Sequence, residues 1–309
     1  MTETVLITGG TGFIGSHLAA QLVDRGHEVV AFDRDGDTKL LDRLGVADDV
    51  SIRTGDVSDP TDVFRAVARS GATRIVHLAA LLSASNVELP TRTAVNVDGA
   101  GTVLEAARIL DDRVDRVVLA SSETVYAPDS AYPHDEVPED VTLQPESPYA
   151  AAKLYAERLA YAYADEHGLS TAVIRPTGVF GAGGHGIEFS DLFERAARGE
   201  PVRVGPADGT ISWLYVRDAA SAFAALALAD EGDLSQRVYN VRGEYATVAE
   251  VAETVRSATD APITVEDGDP LEWSAQRTDV SAARRDLGYE IEWPIERFVP
   301  EYIEHERSW

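Results

Sequence analysis

Two side chains four residues apart, Tyr149 and Lys153, carry the clearest chemical signal in the chain. The stretch from about Pro148 to His167 reads as a helix. Residues i and i+4 of a helix share a face, so the phenol and the ammonium converge on one pocket. A free tyrosine keeps its proton up to a pKa of about 10, too high for a base at neutral pH. A neighbouring ammonium stabilises the phenolate and lowers that value, which makes the pair a proton acceptor. The only lysines of the chain are Lys39 and Lys153, so an incidental surface lysine at this spacing has little weight. Ser122 follows a strand read from Arg116 to Ala120. It lies at the carboxyl end, where open α/β sheets bind ligands, and its hydroxyl is placed to hold a substrate hydroxyl or carbonyl oxygen.

The amino-terminal run VLITGGTGFIG, Val5 to Gly15, supplies the other half of the chemistry. Apolar residues from Glu3 to Thr8 form a buried parallel strand, and Phe13 to Arg25 an amphipathic helix. At Gly9 the chain must reverse tightly, at Gly12 the backbone must touch a pyrophosphate, and at Gly15 the helix must pack close to the strand. The free N–H groups of the helix start, where Phe13 and Ile14 stand, face the phosphates. A second strand, Glu28 to Phe32, ends at Asp33, whose carboxylate accepts hydrogen bonds from the adenosine ribose and repels a 2′-phosphate. NAD is therefore expected over NADP, although the adjacent Arg34 is of a type that holds a 2′-phosphate. The nicotinamide ring adds a second positive charge beside the Tyr149 phenolate.

The elements that position these groups alternate in type. Ser51 to Thr54 reads as a third strand, with Asp56 and Val57 just past its end. Ser58-Asp59-Pro60 caps the next helix, with Pro60 at its first position. A fourth strand, Arg74 to His77, runs into Leu78-Ala79-Ala80, a small-residue turn that lets backbone lie against the cofactor. A helix covers Arg92 to Leu110, and a sixth strand covers Thr171 to Arg175. After Pro176 the alternation weakens, Gly181 to Gly186 reads as a flexible loop, and the chain returns to the sheet at Arg237 to Val241. The pattern is that of a Rossmann-type, doubly wound parallel α/β sheet with right-handed crossovers. Residues 1–175 are the expected dinucleotide-binding domain, its sheet completed by about 208–245. Residues 176–207 and 246–309 are the expected smaller, C-terminal substrate-binding lobe.

Composition bounds the partners. With 44% hydrophobic residues the chain has ample material for one large core. A formal net charge of −26 argues against nucleic acid or an anionic membrane as partner. We read that surface as adaptation to high salt, where a Debye length of about 3 Å at 1 M screens the carboxylates from one another. With no cysteine, disulfides and thiolate chemistry are excluded. Neither a membrane-length apolar run nor a secretion signal is evident, so a cytoplasmic location is expected. His77, at a strand end, reads as a satisfied buried histidine, while His134 and His185 fall in loops. No histidine pair has metal-ligand spacing, and no metal is implied.

The chain resembles the extended short-chain dehydrogenases/reductases of the NAD-dependent epimerase/dehydratase type. Beyond the glycine run, the resemblance rests on Gly55-Asp56-Val57, His77 to Ala80, Asn96-Val97-Asp98-Gly99, Ser121 to Tyr126, and Tyr149 to Lys153. Arg175-Pro176, Leu214 to Asp218 and Thr278 to Ser281 continue it in order over nearly the whole length. It implies that Lys153 hydrogen-bonds the nicotinamide ribose and that Pro176 lies at the cofactor. Asn96 either orders the cofactor loop or caps a helix turn. Glu123 matches a position where related dehydratases carry an acid, but Thr124 stands where they carry a second one, which disfavours a sugar 4,6-dehydratase. Glu123 is read as a hydrogen-bonding residue, with catalysis as the alternative.

For substrate the resemblance divides. Nucleotide-sugar enzymes of this type carry an asparagine where this chain has Gly178, and an arginine within the segment read here as Thr210-Ile211-Ser212-Trp213. Arg277 matches a position that reaches a phosphate, and Arg203 is a second candidate. Leu81-Leu82-Ser83-Ala84 resembles the short-chain L-threonine dehydrogenases, with Ser83 near the substrate. Three readings follow: a nucleotide-sugar epimerase, an NAD-dependent dehydrogenase of a small polyol, sugar acid or hydroxy-amino acid, and a noncatalytic NAD-binding regulator. The intact Ser122, Tyr149 and Lys153 speak against the third. The resemblance also implies a homodimer through the helices at Gly99 to Leu110 and Pro148 to His167, with Ala150, Ala151, Ala156 and Ala160 permitting close approach.

Overall fold

The computed structural model describes residues 2–82, 86–110, 113–127, 132, 135–184, 189–268 and 277–308. Its strands are β1 (Thr4–Thr8), β2 (Glu28–Asp33), β3 (Val50–Thr54), β4 (Arg74–His77), β5 (Arg116–Ala120), β6 (Thr171–Pro176), β7 (Val179–Phe180), β8 (Val202–Val204), β9 (Thr210–Tyr215), β10 (Val238–Val241), β11 (Glu244–Thr247) and β12 (Ile263–Val265). Its helices are α1 (Phe13–Asp24), α2 (Lys39–Arg43), α3 (Pro60–Ser70), α4 (Leu89–Thr93), α5 (Gly99–Ile109), α6 (Pro148–His167), α7 (Ser190–Ala197), α8 (Val216–Leu228), α9 (Val248–Ala258), α10 (Ser281–Leu287) and α11 (Ile295–Arg307).

Seven parallel strands make the central sheet in the order β10-β6-β5-β4-β1-β2-β3. The order reverses between β1 and β4, and a crevice opens there beyond the strand ends. Strand residues alternate between two cores, as a two-residue period requires. Val5 and Ile7 of β1 join the core that holds Leu18 of α1 and Phe223 of α8, while Leu6 joins the core of α3, α5 and α6. This is the Rossmann-type α/β fold that the alternation of elements predicts.

Local chemistry fixes the helices that matter. Asp59 accepts the Thr61 N–H at 2.8 Å, Pro60 opens α3, and Gly71 ends it at φ +69°. Ser147 caps α6 through the Ala150 N–H at 3.1 Å, with Pro148 at its first position and Gly168 in the left-handed region at its end. Tyr149 and Lys153 thereby fall on the first two turns of α6.

The helix expected over Arg92 to Leu110 is instead α4, a π turn at Ala94–Asp98, and α5. The π turn carries the buried Asn96, and a helical period says nothing about such an insertion. Of the four alanines expected on a docking face, Ala150, Ala156 and Ala160 are buried in their own chain, and Ala151 is exposed. The core on the α1 side continues into the C-terminal part. There the Phe193 and Tyr302 rings stack at 4.6 Å and the Tyr215 and Phe298 rings at 5.1 Å. Among the described residues no helix is long and apolar enough to cross a membrane.

Candidate active site

The glycine turn closes on the crevice. Gly9 has φ +70°, and a Cβ there would lie 2.9 Å from the Ala79 nitrogen, so the ends of β1 and β4 meet backbone to backbone. A Cβ on Gly15 would lie 2.1 Å from the Gly9 carbonyl oxygen, which leaves glycine as the residue that lets α1 start so close to the turn. Gly12 caps α1 with no side-chain bond, so the first N–H groups of the helix stay open to an anion. At the end of β2, Asp33 accepts the Thr11 N–H at 3.2 Å and the Arg34 N–H at 2.8 Å. Two bonds leave carboxylate lone pairs for a ribose hydroxyl. The Arg34 guanidinium faces Asp35 at 3.4 Å. Asp56 is held by the Ser58 hydroxyl at 2.6 Å and the Ser58 N–H at 2.8 Å, bonds that keep its carboxyl below the usual range. The residues present fit a dinucleotide.

A cavity of about 520 Å³ runs from this turn to Tyr149. Of the residues expected at the cofactor, Gly9, Gly12, Phe13, Ile14, Gly15, Asp33, Arg34, Asp56, Val57, Leu78, Ala79, Ala80, Tyr149, Lys153 and Pro176 all line it. Asn96 does not. It is buried, accepts the Leu81 N–H at 2.8 Å and donates to the Leu81 carbonyl at 2.9 Å. It therefore orders the segment after β4 through Leu81, which lines the cavity.

At the far end of the cavity, α6 docks on the end of β5 over three consecutive residues. Ser122 lines the cavity together with Tyr149, the Lys153 Nζ donates to the Ala120 carbonyl at 2.8 Å, and the Ser121 hydroxyl donates to Glu157. The Lys153 Nζ stands 5.6 Å from the centre of the Tyr149 ring. Burial pushes the Tyr149 phenol up to about 12, against the pull of the Ser122 bond. Burial lowers Lys153 to about 8, and the negative charge of Glu157 opposes that fall. Glu157 in turn takes the Arg175 guanidinium at 2.9 and 2.7 Å, both partners being almost fully buried. His77 bonds Thr8 Oγ1 at 2.7 Å, and burial lowers it to about 3 with help from the Lys153 charge, so it is a neutral structural histidine.

The substrate side differs from the sequence expectation in part. Glu123 and Gly178 both line the cavity and meet there, the Gly178 N–H donating to Glu123 Oε1 at 2.8 Å. Arg277 is exposed and does not line it; its guanidinium lies 5.6 Å from the centre of the Tyr245 ring. The Arg203 side chain is also exposed, and it pairs with Glu266. Ser83, His134 and His185 lie outside the described residues. Trp213 and Ser212 are core residues: the indole N–H donates to the Ala246 carbonyl at 3.1 Å, and the Ser212 hydroxyl bonds Thr177 at 2.8 Å. Among the described residues no group of three or more His, Asp or Glu side chains is arranged to hold a metal ion.

Sequence reasoning missed Thr124, Leu81, Leu82 and Val179 in the cavity wall, and the Glu157–Arg175 pair behind it. Glu157 had a signal, since it stands four residues after Lys153 on the same helical face.

Comparison with known proteins agrees with this geometry. The chain is 33% identical to a low-salt glycan biosynthesis protein of Haloferax volcanii, over 94% of each sequence. It superposes on UDP-glucose 4-epimerase of Thermus thermophilus, a complex with NAD, with a TM-score of 0.82 and 29% identity, covering 98% of this chain and 99% of that one. A partial-consensus L-threonine 3-dehydrogenase is also similar, with a TM-score of 0.83 and 25% identity over 99% and 100% of the two chains. The model of the NAD-dependent epimerase/dehydratase family matches residues 5–241. That span takes in the glycine turn, Ser122, Tyr149 and Lys153 together, and the chain belongs to this family of NAD-dependent enzymes.

Proposed function

We propose that the protein is a nucleotide-sugar epimerase of the UDP-glucose 4-epimerase kind. The observation that carries this reading is Tyr149, set above Lys153 and lining with Ser122 the end of a cavity that fits a dinucleotide. NAD, when bound, supplies the acceptor for a hydride from a secondary alcohol carbon and, in an epimerase, its donor on return. Tyr149 takes the alcohol proton and gives it back, Ser122 holds the oxygen, and Lys153 keeps a positive charge beside the phenolate. The likeness to the Thermus enzyme over 98% of the chain supports a nucleotide sugar. Asp33, with Arg34 engaged by Asp35, supports NAD over NADP. Two copies pairing through α5 and α6 complete the proposal. The exposed Ile109 and Tyr155, one on each helix, support that face.

A second reading, an NAD-dependent dehydrogenase of a small hydroxy compound, is favoured by one observation. The segment from which nucleotide-sugar enzymes of this type offer an arginine here sends Trp213 into the core. The two readings separate on cofactor retention. The protein is purified in high salt and denatured, and the released nucleotide is quantified by mass spectrometry. About one NAD per chain is expected for an epimerase, whose cofactor has no need to leave. A site that comes through purification empty and rebinds added NAD reversibly would move the assignment to the dehydrogenase.

A further inference from the structure

We propose that Glu123 is a specificity-determining residue, whose carboxylate admits a neutral hexose at the reacting end of the cavity and turns away a uronic acid. The inference rests on the nucleotide-sugar reading above and adds to it the class of sugar. Glu123 follows Ser122 in the chain, so their Cα atoms are about 3.8 Å apart, and both residues line the cavity. With the oxygen of the reacting carbon held at Ser122, substituents on the neighbouring ring carbons fall close to the Glu123 carboxylate. Glu123 Oε1 accepts the Gly178 N–H at 2.8 Å, a bond that fixes the side chain in the cavity wall and favours its ionised form. Gly178 lays no side chain of its own over that carboxylate, although a Cβ there would meet only ordinary contacts, the nearest being 3.6 Å from the Phe180 ring.

An ionised carboxylate accepts hydrogen bonds and has none to give. A ring hydroxyl or the hydroxymethyl group of a hexose is a donor that it receives. The carboxylate of a uronic acid brings only acceptors and a second negative charge. Two unit charges about 5 Å apart, at an effective dielectric constant of about 20, repel enough to lower an affinity by about 100-fold or more. A cation beside the site would offset that repulsion. Among the described residues that line the cavity, the cations are Arg34 and Lys153. Arg34 stands at the opposite end, next to Asp33 and paired with Asp35, and Lys153 is engaged by the Ala120 carbonyl beneath Tyr149. Arg242 pairs with Glu136 at 2.8 Å, and Arg277 is exposed and outside the lining.

The test is calorimetric titration of the NAD-loaded protein with UDP-glucose and with UDP-glucuronate in one buffer. The wild-type protein is expected to bind UDP-glucuronate about 100-fold or more weaker than UDP-glucose. Glu123→Gln keeps an acceptor for the Gly178 N–H and removes the charge. It is expected to tighten UDP-glucuronate by about tenfold or more and to weaken UDP-glucose by about threefold, as a charge-assisted bond becomes a neutral one. A merely structural role would move both affinities in the same direction. Equal affinities in the wild-type protein, a comparison that needs no variant, or an unchanged ratio in Glu123→Gln overturns the role of Glu123 and leaves the nucleotide-sugar reading standing. A wild-type protein that does not bind UDP-glucose overturns that reading and this proposal with it.

Discussion

A buried phenol holds its proton more tightly than in water, and burial pushes Tyr149 up to about 12 even with the Ser122 hydroxyl opposing it. The ammonium of Lys153, lowered to about 8 by its own burial, is still mostly charged at neutral pH. The chain on its own therefore leaves Tyr149 protonated at pH 7, and base character needs a further positive charge beside the ring. Removing the hydroxyl should remove the relay and leave the rest of the cavity intact. For Tyr149→Phe we expect turnover to fall by roughly 10²–10⁴-fold with NAD affinity within about threefold of wild type, measured by steady-state kinetics and calorimetry. At the other end of the cavity, Asp33→Ala should lower the ratio of NAD to NADP affinity by about tenfold or more, the worth of a charge-assisted bond. An unchanged ratio would remove Asp33 as the selector. Both residues were legible in the sequence, because each sits at a fixed offset from a local signal. Arg277 is exposed and outside the cavity lining, and a spacing match does not say which way a side chain faces.

Among the elements, the start of α8 shows how a single buried carboxylate ties distant segments together. Asp218 accepts the Glu292 and Trp293 N–H groups at 3.3 and 3.1 Å, and the Trp293 ring lies against Arg217 and Arg297. Burial raises the Asp218 carboxyl to about 6, despite those bonds. Below about pH 4 it is protonated in both folded and unfolded chains. Between about pH 4 and 6 the unfolded state loses its proton first, so this group's contribution to stability falls, and above about pH 6 the penalty is constant. Asp218→Asn cannot titrate. Its stability relative to wild type should therefore rise between pH 4 and 6, by on the order of 1–3 kcal/mol, and stay level above that range. Urea midpoints across the range check this, and a pH-independent difference would sink it. The strand–helix alternation was readable, as was the cap of α3 from Asp59 and Pro60. The π turn was not, because it exists to bring Asn96 to Leu81, and no local periodicity encodes that meeting.

At the scale of the molecule, 53 acidic residues face 27 basic ones, for a net charge of −26. Repulsion among the surface carboxylates opposes the compact state, and salt shortens its reach from about 8 Å at 0.15 M to about 3 Å at 1 M. The melting temperature should rise by roughly 5 °C or more between 0.15 and 2 M KCl, as followed by calorimetry. A protein indifferent to KCl would show that the charge is well balanced locally. What the sequence determined by itself was what is local: the glycine turn, the strand ends carrying Asp33 and Ser122, and the shared helical face of Tyr149 and Lys153. These follow from backbone sterics, capping and period, which act over a few residues. Only the tertiary structure decided which distant segments meet: Glu157 with Arg175, Asn96 with Leu81, Glu123 with Gly178, and Trp213 with the core. Those pairings depend on how whole layers pack, and the burial that packing imposes is what moves the protons of Tyr149, Lys153 and Asp218 away from their ordinary behaviour.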